Sequence, residues 1–170
     1  MKSLCITLSF FLMSLTTAAF SGADTAAPKS DAEKAFEKLK TLVGTWESDD
    51  PKRPMSVKFR VTSNGSAILS EMLDGRDNMI TMIHLDDGRL LVTHYCAAGN
   101  QPRMVGKVSP DGKTVEFDFL DGTNFKSTNG HMHGLIITLI DDTHHSEDLI
   151  FQSKDGKHER RVHFNMRPTQ

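Results

Sequence analysis

Cysteine is nearly missing from this chain: 170 residues contain only Cys5 and Cys96. A disulfide-stapled miniprotein is therefore excluded. An excess of either charge sign is missing too. The 20 Lys+Arg and 22 Asp+Glu are interspersed and nearly cancel, to a formal charge of −2, so there is no electrostatic case for binding nucleic acid. Proline is scarce, at six residues, and glycine follows no period, which excludes a collagen-like repeat. The 38% hydrophobic content excludes a disordered tail. Long apolar runs are lacking: Leu4 to Leu15 is the longest, and its twelve residues are too few to span a bilayer.

That run has the form of a secretory signal. Lys2 supplies a positive start, and the stretches Thr17-Ala18-Ala19 and Ser21-Gly22-Ala23 offer small residues at the −3 and −1 positions. Cleavage is expected after Ala23, ahead of Ala19, and Cys5 lies too early to carry a lipid anchor. The protein is therefore expected to be exported, to a periplasm or to the outside, with no transmembrane segment in the mature chain. Lys2 is the only charged residue of the first 23, so the 147 residues that follow carry 19 basic and 22 acidic side chains. Cys96 is then the sole cysteine, and no internal disulfide can form. A chain of this length buries roughly 70% of its unfolded surface and needs no staple. Residues 24–29 read as a flexible leader and 30–170 as one domain.

Ser30 and Glu33 form a capping-box pattern, and Ala35, Phe36, Leu39, Leu42 and Val43 follow at helical spacing up to Gly44. Beyond it the period becomes two. Val57-Phe59-Val61, Val115-Phe117-Phe119 and Val162-Phe164-Met166 alternate with polar residues, as in antiparallel sheets with one wet face. Asn64-Gly65, Asp74-Gly75, Asp87-Gly88, Asp111-Gly112, Asp121-Gly122 and Asp155-Gly156 suit tight turns; in Asn64-Gly65-Ser66 the hairpin coincides with a glycosylation sequon. With turns at 50–54, 98–101 and 141–143, ten strands are predicted. They lie near 45–49, 55–62, 67–73, 78–85, 89–97, 102–109, 114–120, 131–140, 144–153 and 158–167. Hairpin-length connections make this an up-and-down meander, which closes into a barrel to abolish its edges.

A helix, then Gly44-Thr45-Trp46 opening the first strand, then a β meander resembles the calycin barrels: lipocalins, fatty-acid-binding proteins and nitrobindins. The resemblance implies that Trp46 packs at the closed end under an arginine of the last strand, a part Arg167 would play as a cation–π stack. Ten strands favour the fatty-acid-binding and nitrobindin side, whose barrels enclose a lipid or a haem.

In a meander, odd and even strands run in opposite directions. With the helix at the bottom, strand five rises and sets His94, Tyr95 and Cys96 near the top. Strand six starts there with Gln101 and Arg103, just after Asn100; strand seven ends there with Asp121 and Asn124; strand eight starts there with His131 and His133. His84, His144 and His145 fall at the bottom. Residues i and i+2 share a face roughly 6.6–6.8 Å apart, so His94 with Cys96, and His131 with His133, are same-face pairs suited to a transition metal or haem iron. Rim histidines also commonly bond turn carbonyls. Cys96 is either a nucleophile, needing His94 or Arg103 beside it, or a small buried hydrophobe. Arg103 is either a clamp for a ligand carboxylate or a surface charge. Which faces of 89–97 and 131–140 point inward stays open.

The leading expectation is an exported barrel holding a small hydrophobic or amphipathic, fatty-acid-like ligand. Phe59, Val115, Phe117 and Phe119 would line its interior, with Arg103, His94 and His133 at the polar end. Tyr95, Cys96, Asn100, Asp121 and His131 complete the candidate ligand site, and no catalytic set is assigned. The rival is a metal- or haem-dependent protein built on His94, Cys96, His131 and His133. A third reading is a partner-binding barrel with no small molecule. Fold alone does not separate them.

Overall fold

The computed structural model describes residues 28–169, apart from 76, 128 and 129. The expected signal segment and most of the leader lie outside the described residues. Ser30 caps α1 (Asp31–Leu39): its hydroxyl accepts from the Glu33 amide at 3.2 Å, and the Glu33 carboxylate accepts from the Ser30 amide at 2.6 Å. A 3-10 turn, Lys40–Leu42, carries the chain to Gly44.

Ten strands follow: β1 (Gly44–Ser48), β2 (Met55–Thr62), β3 (Ala67–Asp74), β4 (Asp77–Asp86), β5 (Arg89–Tyr95), β6 (Gln101–Val108), β7 (Thr114–Thr123), β8 (Gly130–Asp141), β9 (His144–Ser153) and β10 (Glu159–Pro168). Each pairs antiparallel with its sequence neighbours, and β1 also pairs with β10, so the barrel closes. The expected up-and-down barrel with one N-terminal helix is the fold observed. Aspartate-glycine turns work as anticipated at β4–β5, where Asp87 and Gly88 both hold positive φ. None of the helices among the described residues is long and apolar enough to cross a membrane.

Helix α1 covers the lower end. Phe36, Leu39 and Leu42 pack onto the barrel core, and Lys38 donates to the Gly112 carbonyl at 3.0 Å in the β6–β7 turn. Inside, Val57, Phe59, Ile68, Ile83, Val92, Met104 and Phe117 come from successive strands and are fully or almost fully buried. Packing is tight enough that a Cβ on Gly106 would lie 2.9 Å from both Leu90 Cβ and Phe117 Cε1.

Trp46 sits at the closed end, its indole N–H donating to the Leu42 carbonyl at 2.7 Å. Its ring partner is His145, edge-on at 4.5 Å between centroids. The expected stack with Arg167 is corrected. Met166 faces inward, so alternation turns Arg167 outward, where it meets Glu47 at 2.7 Å.

Candidate functional site

At the upper end, His94 lies on the inner face of β5, in phase with Leu90 and Val92, and Cys96, just past the strand, packs against the core, whereas Tyr95 points out and is 49% exposed. Residues 96–100 form a closed loop: the Cys96 amide donates to the Asn100 carbonyl at 3.0 Å and the Gly99 amide to the Cys96 carbonyl at 2.8 Å. Buried Asn100 donates through its side-chain amide to the Gly130 carbonyl at 2.8 Å, tying this loop to the start of β8.

Arg103 is not available as a clamp. It sits on the outer face opposite Asp121 and forms a two-pronged pair with it: Nε to Oδ1 at 2.6 Å and Nη2 to Oδ2 at 2.5 Å. The pairing lowers the carboxyl pKa of Asp121 and raises that of the guanidinium. Its neighbour Met104 is the inward residue, so Arg103 must turn away.

The β7–β8 ladder stops at Asp118 and Gly134, although β7 continues to Thr123 and β8 begins at Gly130. Four rings occupy this splayed seam. His133 stacks on Phe119 (5.0 Å, 19°), and His131 lies 4.8 Å from both Phe119 and Phe125. His131 Nε2 is 3.2 Å from His133 Nδ1, so one ring donates to the other. Burial first, and then the neighbouring His133, pushes the His131 pKa down. A bulge between Met132 and Gly134 brings Met132 and Leu135 inward together, which displaces His133 into the seam.

The four candidate metal donors are thus not gathered into one cluster. His94 is buried beneath the mouth, Cys96 and His131 border the mouth, and His133 lies in the seam. Among the described residues, no group of three or more His, Cys, Asp or Glu side chains converges.

A recess of about 610 Å³ opens in the upper mouth. Met79, Ala97, Ala98 and Phe151 supply apolar wall, with Cys96 and His131 beside them. Among the described residues, Asp74, Asp77 and Glu159 stand on its rim with Arg160, whose guanidinium lies 5.4 Å from the Phe151 ring. Strands β9 and β10 meet at this rim. The strand-direction reasoning that located His94 and His131 reaches Phe151 and Arg160 when carried two strands further. A second cleft of about 440 Å³ lies at the opposite end, with Lys38, Lys113, Asp141 and Asp142 on its walls.

The deep interior is not the expected ligand chamber. Phe59, Val115 and Phe117 are buried, Phe119 is in the seam, and an inner cavity bordered by Phe59 measures about 10 Å³. That is about the room one water needs. Ser70, Thr81 and Glu147 border it amid apolar side chains. His145 shares a buried hydrogen bond with Glu147 at 3.1 Å. Thr81 Oγ1 lies 2.8 Å from His94 Nδ1, while His94 Nε2 has no partner among the described residues. Burial drives the His94 pKa down to about 4, so the ring is neutral at ordinary pH.

No family model matches the chain, and no curated protein matches it either.

Proposed function

We propose that the protein is an exported, calycin-type barrel that binds a small, mostly apolar ligand at its upper mouth. One observation carries this reading: a recess of about 610 Å³ with an apolar wall and a polar rim, at the end of the barrel opposite the helix. Its size falls in the range of small-molecule sites, about 300–1,000 Å³. Among the described residues of the rim three carboxyls stand with one arginine, and Arg103 is held by Asp121 outside, which favours an uncharged polar end over a fatty-acid carboxylate. Titration with the neutral apolar dye Nile red tests the reading. Saturable binding should weaken by about tenfold or more in Phe151→Glu, which sets a charge on the apolar wall. Absent binding, or equal binding by the variant, would refute it.

A second reading, transition-metal binding, draws on the 3.2 Å spacing of His131 Nε2 and His133 Nδ1. Two nitrogens each about 2.0–2.1 Å from a tetrahedral ion stand about that far apart. Solvent would complete the coordination. Unchanged zinc uptake in a His131→Asn/His133→Asn double variant would sink this reading.

A further inference from the structure

Beneath the upper recess lies a polar belt that an apolar barrel core does not require. Ser70, Thr81 and His94 face inward from three adjacent strands in direct register, Ser70 opposite Thr81 and Thr81 opposite His94. All three are buried, His94 completely, and its Nε2 has no partner among the described residues. Ser70 and Thr81 border the small inner cavity of about 10 Å³.

Two cross-strand pairs join the lining of the inner cavity to that of the upper recess. Met72 faces Met79 across β3–β4, and Met132 faces Phe151 across β8–β9. In each pair one side chain borders the lower space, Met72 or Met132, and the other borders the upper space, Met79 or Phe151. Three of the four are methionines, whose unbranched, polarizable side chains change rotamer and refill space more readily than branched ones.

We propose that these methionines form a movable partition, and that a ligand entering the recess displaces them and sets an uncharged, hydrogen-bonding head group against the Ser70–Thr81–His94 belt. The proposal rests on the mouth being a ligand site and adds where the polar end goes and what it is. Among the described residues the inner cavity is lined by one carboxyl, Glu147, and by no lysine or arginine, so a carboxylate head would find no counter-charge there. An ammonium head would have to compete for Glu147 with His145. A hydroxyl needs neither. It can donate to a bare ring nitrogen or accept from a ring N–H, whichever tautomer the bond to Thr81 selects. The ligand class is therefore an aliphatic alcohol: an apolar body in the recess, with its oxygen below.

Calorimetric titration of the protein with n-octanol and with octanoate, alongside NMR shifts of the histidine ring nitrogens, tests this. Octanol is expected to bind about tenfold or more tightly than octanoate, and to move the His94 Nε2 resonance on saturation. Thr81→Val and His94→Leu should each weaken octanol severalfold. The wild-type resonance shift keeps the test intact if either variant folds poorly. Octanol binding with His94 Nε2 unmoved and both variants unaffected would overturn the inner head-group site while leaving the mouth as a ligand site. Tighter binding of octanoate would overturn the head-group class. If neither amphiphile nor Nile red binds, the mouth reading fails and this proposal goes with it.

Discussion

His94 ties the stability of the barrel to pH in a direction that can be worked out. Its imidazole is completely buried, and burial lowers its pKa from 6.5 to about 4. The folded state therefore refuses a proton that the unfolded chain accepts below about pH 6.5, and stability falls as pH falls wherever the unfolded state binds more protons. The contribution is fully present above about pH 6.5 and is lost as pH drops toward 4. Linkage gives a loss of about 2 kcal/mol between pH 7 and pH 5, reaching about 3 kcal/mol by pH 4. In a domain of this size the first step lowers Tm by roughly 4–8 °C. His131 shifts in the same direction, and Asp141, held down to about 2 by its bonds to Thr143 and His144, acts only below this window. Comparing wild type with His94→Gln cancels those other groups. Urea unfolding from pH 7 to pH 4.5 should be markedly steeper with pH in wild type than in the variant. Equal slopes, or a His94 titration near 6.5 in the folded protein, would refute the reasoning.

Three further outcomes are expected. Gly106→Ala forces a methyl to within 2.9 Å of Leu90 and Phe117, and should destabilise by about 1–3 kcal/mol in urea unfolding. Arg103→Ala should leave Nile red affinity unchanged, because the guanidinium serves Asp121 on the outer face; a clear loss of affinity would return Arg103 to the site. Terminal sequencing of protein recovered from outside the cytoplasm should begin at Asp24, and a cytoplasmic chain starting at Met1 would remove export from the account.

The barrel was legible because its signals are local and repeated. Val57 and Phe59 alternate with Lys58 and Arg60 over a whole strand, and Asp-Gly pairs at 74–75, 87–88, 111–112 and 155–156 mark hairpins, whereas the turn expected at Asp121-Gly122 is corrected: both residues lie within β7, paired with Arg103 and Pro102. The β7–β8 region was less legible because its geometry breaks the period. Strand β7 runs on to Thr123, paired with Gln101 of β6, after β8 has left it. The bulge at Met132 puts Met132 and Leu135 on one side, three residues apart, which no two-residue pattern reveals. On β5 the inner face mixes Leu90 and Val92 with His94, and Cys96 follows just past the strand, so hydrophobicity could not orient it. Arg167 is the instructive case. The inward run Val162-Phe164-Met166 already assigns it to the outer face, and the family analogy pointed the other way. How far side chains fill the interior depends on distances across the barrel, and linear sequence carries no signal for them. The upper recess was half visible: strand direction led to its β5 and β8 sides, and not to Phe151 and Arg160 on β9 and β10.

The central claim, a ligand held in the upper mouth, is tested most directly by native mass spectrometry of the protein isolated from the cells that make it, set beside its denatured mass. The account predicts an organic mass that co-purifies, departs on denaturation and is missing from Phe151→Glu prepared in the same way. A protein that carries no such mass and takes up neither Nile red nor n-octanol when incubated with them would contradict it.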